Sequence, residues 1–384
     1  MSLYTQLLCG LLVFLYSGSI VARDFCPLKI LFVVNYFPAP SQTFILNIIV
    51  GLIDSGHKVS IFSFHKGDFT TINPSIEKYS LLDCVIYEKF PASLPECDIV
   101  FCQFGNVGKE IFEIEAVRKW LKSKKVVVCF RGSDLTAHMK ENPKIYKKLF
   151  SKGDLFLPVC DYFKKRLISL RCPPDKIVVH YSAINCSQFF FKKRKKPVSG
   201  PINLISVCRL VEKKGIDIAL RAIAKVLRTH KNIHFTIVGD GPERLYLEKL
   251  IQKLKISENV TMNGWGTRDE VVALLNESHI FLLPSLTSSD GDEEGIANAL
   301  KESMAMGLIS IGTWHAGTPE LIEDGVSGFL VSEGDSMQLA KKIEYIIEHP
   351  EIWERIQRAA RKKIEEKFEI KQSIKKLEKM FYGL

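Results

Sequence analysis

Pro284 to Gly328, PSLTSSDGDEEGIANALKESMAMGLISIGTWHAGTPELIEDGVSG, is the stretch on which the reading of this chain turns. It follows the apolar run His279-Ile280-Phe281-Leu282-Leu283, which reads as a buried strand, and passes through an acidic loop into a helical pattern from Ala297 to Met306. A strand, a polar loop and a helix start in that order build a ligand site. The open amides of Gly295, Ile296, Ala297 and Asn298 would favour an anion or an array of polar oxygens, and a phosphorylated sugar offers both. Glu294 and Glu302 stand eight residues apart. At about 100° per residue their side chains lie about 80° apart around a helix, so they share a face only if Glu294 sits at or just before its start. Taken alone, such a pair reads more readily as a cap and a solvated helix residue.

The surroundings change that reading. Ile202 to Val207 is a strand that delivers Arg209, and Lys214-Gly215 opens the next helix, so two cations stand at a strand's carboxyl end where a diphosphate would fit. His234 to Gly239, followed by Asp240-Gly241, and Asn259 to Gly264, followed by Trp265, are each a strand and then a tight turn. With the E-x7-E pair, Glu302-Ser-Met-Ala-Met-Gly307 and Gly317-Thr-Pro-Glu-Leu-Ile-Glu-Asp-Gly325, the run resembles glycosyltransferase family 4, a retaining family of the GT-B fold, in the pattern of its colanic-acid and exopolysaccharide members. Ala297 and Ile309 stand where that family usually has Pro.

The resemblance implies an α/β protein with two Rossmann-like, doubly wound parallel-sheet domains facing across a cleft, and a C-terminal helix that crosses back to the first. It implies that Arg209 and Lys214 hold a nucleotide diphosphate, that Gly241 belongs to the donor site, that Gly264 and Trp265 lie near the base, and that Glu302 accepts from ribose hydroxyls. Glu294 and the amides of Gly295, Ile296, Ala297 and Asn298 would hold the sugar. Glu294, Arg209, Lys214 and Arg131 are the residues expected to carry catalysis.

The first domain opens with a strand at Ile30 to Val34, a loop, a helix from Gln42 to Ser55 and a second strand at Val59 to Phe62, without a G-x-G-x-x-G fingerprint. Further strands are expected at Asp98 to Cys102, Lys125 to Phe130, Asp154 to Val159 and Lys176 to Val179, with a helix from Lys109 to Lys122. The acceptor cleft is expected from Ser41, Gln42, Thr43, Gln103, Arg131 and Asp134. The family often has His at the positions of Gln103 and Arg131; Arg cannot act as a base at neutral pH, so either a variant site or a structural Arg131–Asp134 ion pair is expected.

The expected organisation is an apolar leader or weak membrane anchor over 1–27, the acceptor domain over 28–186, a basic linker over 187–201, the nucleotide-sugar domain over 202–364 and the crossing helix over 365–384. At 384 residues and 46% hydrophobic the chain can bury two cores. Its net charge of +10 is concentrated between Lys140 and Lys196, where 15 Lys or Arg face four acidic residues. Phe189-Phe-Phe-Lys192-Lys-Arg-Lys-Lys196 within it suits an anionic membrane surface. No nucleic-acid-binding signature accompanies it.

Ten cysteines without a C-x-x-C pair indicate neither a zinc site nor a disulfide framework, and they fit a reducing cytoplasm. Asp290-Gly-Asp292 matches the D-x-D of metal-dependent transferases, yet Arg209 and Lys214 already supply positive charge, so no metal or other cofactor is expected beside the nucleotide-sugar co-substrate. The expected activity is retaining transfer of a sugar to a hydroxyl of a glycan or lipid-linked oligosaccharide in bacterial surface polysaccharide synthesis, at the inner face of the plasma membrane. A UDP-sugar 2-epimerase or a catalytically impaired nucleotide-sugar-binding protein are the alternatives.

Overall fold

Short runs that are apolar at every position, such as Ile30-Leu-Phe-Val-Val34 and Val126-Val-Val-Cys-Phe130, are stable only in a parallel sheet covered on both faces. The computed structural model, which describes residues 26–39, 42–69, 73–87, 94–140, 142 and 144–384, places them so. The first sheet is built from β1 (Lys29–Phe37), β2 (Lys58–Lys66), β3 (Val85–Ile86), β4 (Ile99–Gln103), β5 (Lys125–Phe130) and β6 (Leu155–Pro158), in the order β3-β2-β1-β4-β5-β6. The second contains β7 (Ile202–Val207), β8 (Ile233–Val238), β9 (Val260–Gly264), β10 (Ile280–Leu282), β11 (Ile309–Thr313) and β12 (Phe329–Val331), in the order β12-β11-β10-β7-β8-β9. All pairs are parallel. Strand order reverses between β1 and β4 and again between β7 and β10, which opens a crevice at the carboxyl ends of each pair.

Several expected elements shift. Lys176 to Val179 is not a strand: the run touches the sheet through one isolated bridge, Ile177 to Phe156. The helix expected over Lys109 to Lys122 is two helices, Gly105–Glu113 and Glu115–Leu121, broken at the extended Ile114. Ser41 and residues 1–25, which hold nearly all of the expected leader, lie outside the described residues. No described helix is long and apolar enough to cross a membrane.

The basic stretch over 187–201 is not a free strip. Phe189 is fully buried, and its carbonyl accepts from Arg361 Nη1 at 2.7 Å. Arg194 is buried too, donating to Asn276 O at 2.5 Å and Met306 O at 3.2 Å, the carboxyl ends of two helices where a cation is favoured. Lys193 pairs with Glu354, and Lys196 donates to Ile347 O.

The chain finally returns to the first sheet. Ile184 and Ile370 exchange backbone bonds with Phe368 and Ile184, and the helix Ile370–Tyr382 lays Ile374, Leu377 and Phe381 into the core of β1 and β4. Phe381 meets Phe101 edge-on at 5.3 Å, and Glu378 bonds His57 at 3.0 Å.

Candidate active site

Each strand of the second sheet delivers one part of a single edge. After β7, Arg209 is exposed and Lys214 is buried. After β8, Gly241 has φ +158°, and a Cβ there would come within 2.4 Å of Leu210 O, so only glycine allows the turn to lie against the Arg209 segment. After β9 come Gly264 and the half-exposed Trp265. After β10 runs the loop that carries Glu294.

That loop is where the structure is most specific. The helix starts at Asn298, so Glu294 stands four residues ahead of it, in the loop and not on the helical face of Glu302. Glu294 pairs with Lys214 and accepts from Ser285 Oγ at 3.2 Å. Burial opposes its charge, but the ammonium groups of Lys214 and Lys213 overcome it and hold the carboxyl at about 2, fully ionised at neutral pH. The backbone N–H groups of Gly295, Ile296, Ala297 and Asn298 donate to nothing among the described residues, although the first three of these residues are buried. N–H groups left open at such a loop suit the oxygens of a ligand.

Two side chains outside the expected set build this loop. The fully buried Lys301 donates to Ile296 O at 3.3 Å and Asn298 Oδ1 at 2.9 Å, so it takes the loop's oxygens and leaves its amides open. Burial pushes its ammonium down to about 7. His315 Nε2 accepts from Glu294 N at 3.1 Å, while its Nδ1 lies 2.8 Å from Glu333, which fixes the tautomer. A lysine inside the apolar pattern of 296–306 was a readable signal for the first; nothing in the sequence singled out the second.

Glu302 is buried one turn deeper, 3.2 Å from Arg268 Nη1. Burial pushes its carboxyl above the usual range, with Arg268 and Lys301 working against the rise. Arg268 stacks on Phe189 at 4.3 Å and donates to Gln188. The D-x-D carboxylates are engaged within the protein: Asp292 with Lys213 at 2.6 Å and with Thr136, Asp290 with Ser288 Oγ and Asp292 N.

Facing this edge, the first sheet presents Gln103 at the end of β4 and Arg131 to Asp134 after β5. The Arg131–Asp134 ion pair is absent among the described residues. Asp134 instead spends its buried carboxylate on the backbone amides of Gly105, Arg131 and Gly132, at 2.8 to 3.0 Å. Arg131 Nη2 donates to Gln103 Oε1 at 2.6 Å and Nη1 to Ser182 Oγ at 2.8 Å, and its guanidinium lies 4.3 Å from the Phe44 ring. Gln42 and Thr43 line a separate small pocket with Phe37, Ile45, Leu46 and Ile76.

The two edges touch. A Cβ on Gly295 would meet Val159 at 2.9 Å and Phe163 at 3.1 Å, and Gly132 packs against Glu293 O. Arg166 and Tyr162 bond Glu293 at 2.8 and 3.0 Å. Glu320 accepts from Asp161 N and Tyr162 N, so a carboxylate of the second domain caps a helix of the first that has no cap of its own.

Two doubly wound parallel sheets with their carboxyl edges apposed, one of them carrying cations and open amides, define the GT-B fold. Residues 187–363 match the family described as glycosyl transferases group 1. The chain is 31% identical over 370 residues to the putative colanic acid biosynthesis glycosyltransferase WcaL of Salmonella typhimurium, covering 82% of this chain and 90% of that one. It is 31% identical over 365 residues to the amylovoran biosynthesis glycosyltransferase AmsK of Erwinia amylovora, covering 82% and 89%. It belongs to this family, and the isomerase and binding-protein alternatives are not favoured. Its fold matches that of Anabaena Alr3699/HepE, solved in complex with UDP, with a TM-score of 0.78 at 18% identity over 93% of this chain and 100% of that one. Sucrose-phosphate synthase from Thermosynechococcus elongatus matches with a TM-score of 0.74 at 15% identity over 93% and 98%.

Proposed function

We propose that the protein moves a sugar from a nucleotide-diphosphate sugar to a hydroxyl of a glycan or lipid-linked oligosaccharide in exopolysaccharide synthesis, with retention at the anomeric carbon and without a metal ion. The observation that carries this reading is the loop of open amides at Gly295–Asn298, flanked by Lys214, Glu294 and Glu302 at one carboxyl edge. In this reading Arg209 and Lys214 neutralise the charge that grows on the β-phosphate as the glycosidic bond breaks, and loss of one such donor costs about 100- to 1,000-fold in rate. A diphosphate competes with Glu294 for Lys214, which releases the Glu294 carboxylate to the sugar hydroxyls. Glu302 takes the ribose hydroxyls. The acceptor attacks from the face the donor leaves, and the contacts of Glu293 and Glu320 with the first domain keep water out while it does.

Thermal shift with UDP, GDP, ADP and their sugars, on wild type and Glu302→Ala, with and without EDTA, tests the reading. A shift for one nucleotide that survives EDTA and vanishes in the variant is expected; no shift with any nucleotide in a folded protein overturns it. A lipid-linked acceptor would place the protein at a membrane surface. The basic stretch leaves the exposed Phe190, Lys192 and Lys195 for that contact. Neutralising the two lysines is expected to weaken binding to anionic liposomes, and unchanged binding counts against it.

A further inference from the structure

The surroundings of Arg131 differ from those of the other buried arginines. Arg194 donates to backbone carbonyls at helix ends, where a cation serves the fold, and Arg361 to two backbone carbonyls and the carboxylate of Glu365; the Nε of Arg194 and of Arg268, like that of Arg131, has no partner among the described residues. Arg268 faces the carboxylate of Glu302. Arg131 is half-buried beside the cleft and faces neither. Its two hydrogen bonds go to neutral oxygens, Gln103 Oε1 and Ser182 Oγ, and its Nε has no partner among the described residues. Gln103, fully buried, turns its oxygen to Arg131 and leaves its Nε2 without an acceptor. The nearest carboxylate, Asp134, is occupied by three backbone amides.

The group is held stiffly. Phe44 stacks under the guanidinium, and Phe104, between Gln103 and the helix that follows, has φ +135°, a backbone conformation that non-glycine residues hold only under constraint. A planar, oriented cation that makes no salt bridge among the described residues, with Asp134 acting on it only through space, is an arrangement that suits carboxylate or phosphate. Gln103, Ser182, Phe44 and Arg131 all belong to the first domain, the one expected to take the acceptor.

We propose that Arg131, with Gln103, Ser182 and Phe44, forms a recognition site for an anionic group, carboxylate or phosphate, on the acceptor. This rests on the transferase reading above and adds the acceptor's chemical class: an acidic sugar residue, or a sugar carried on a lipid phosphate, and not a neutral glycan.

The test is binding to the full chain, by ligand-observed NMR, of two matched pairs: methyl β-glucuronide against methyl β-glucoside, and geranyl phosphate against geraniol. Wild type is expected to prefer the charged member of one pair by about tenfold or more, as one charge-assisted contact implies, and the pair that shows it tells carboxylate from phosphate. Arg131→Gln is expected to bring that preference close to one. Equal binding within both pairs, or a preference that Arg131→Gln leaves intact, overturns the proposal. If Arg131→Gln fails to fold, Arg131→Lys carries the test, since it keeps the charge but not the planar fork. A preference reduced several-fold supports the proposal, and an unchanged one overturns it. UDP, GDP and ADP binding by wild type is measured separately, so a failed donor reading and a failed anion site give different results.

Discussion

Replacing Glu294 by Gln removes the charge that partners Lys214 without changing the size of the side chain. The wild-type carboxyl is held at about 2, because the nearby ammonium groups outweigh the burial that opposes its ionisation. Against about 4.3 in the unfolded chain this corresponds to about 3 kcal/mol. A carboxyl with a depressed folded-state pKa contributes its full share above the unfolded value and loses it as pH falls through the folded one. The stability gap between wild type and Glu294→Gln is therefore about 3 kcal/mol at pH 7, still near that at pH 5, and about half gone by pH 3. Urea unfolding followed by the fluorescence of Trp353, which lies in the core of the second domain, reads it. A gap below about 1 kcal/mol at pH 7, or one of equal size at pH 7 and pH 3, would refute the ion-pair argument.

Lys301→Met removes a buried ammonium held at about 7. Burial of that charge costs stability below pH 7 and less as pH rises toward 10, so the variant should be more stable than wild type at pH 6, by on the order of 5 kcal/mol, with the gap narrowing to about 1 kcal/mol by pH 9.5. Its affinity for the nucleotide that binds wild type should fall, because Ile296 and Asn298 lose their anchor; isothermal titration checks this. Gly295→Ala places a methyl 2.9 Å from Val159 and 3.1 Å from Phe163, so transfer should drop at least about tenfold while circular dichroism and nucleotide binding stay close to wild type. His315→Phe leaves Glu294 N without its acceptor, and should lower kcat by about tenfold or more with a smaller change in donor KM, seen in initial rates of nucleotide release.

The fold was legible because its strands are apolar on both faces, a pattern that only a covered parallel sheet satisfies. The failures have physical reasons. Ile177 reads like a strand residue, but its neighbours bond only to Phe156 O and Pro158 O and never form a ladder. Val85–Ile86 is too short to show any alternation. Lys214 and Glu294, singled out by motif spacing, form an ion pair, while Glu302 lies in the helix that follows and pairs with Arg268, and Arg209 is exposed after β7. The work of Glu320 was hidden, since its partners Asp161 and Tyr162 lie 159 and 158 residues away in sequence. Charge counts over Lys192 to Lys196 do not reveal that Arg194 is buried against two helix ends while Lys192 and Lys195 stay exposed.

The helix Ile370–Tyr382 has a consequence for how the chain is made. The first sheet is complete in sequence by Pro158, yet part of its core, around Ile45, Phe101 and Leu157, is closed by Ile374, Leu377 and Phe381. During synthesis at about 5–20 residues per second, the roughly 190 residues between Ile184 and Ile374 take about 10–40 s to emerge. Throughout that interval the N-terminal half presents an open apolar face, while the C-terminal half can finish folding around its own strands.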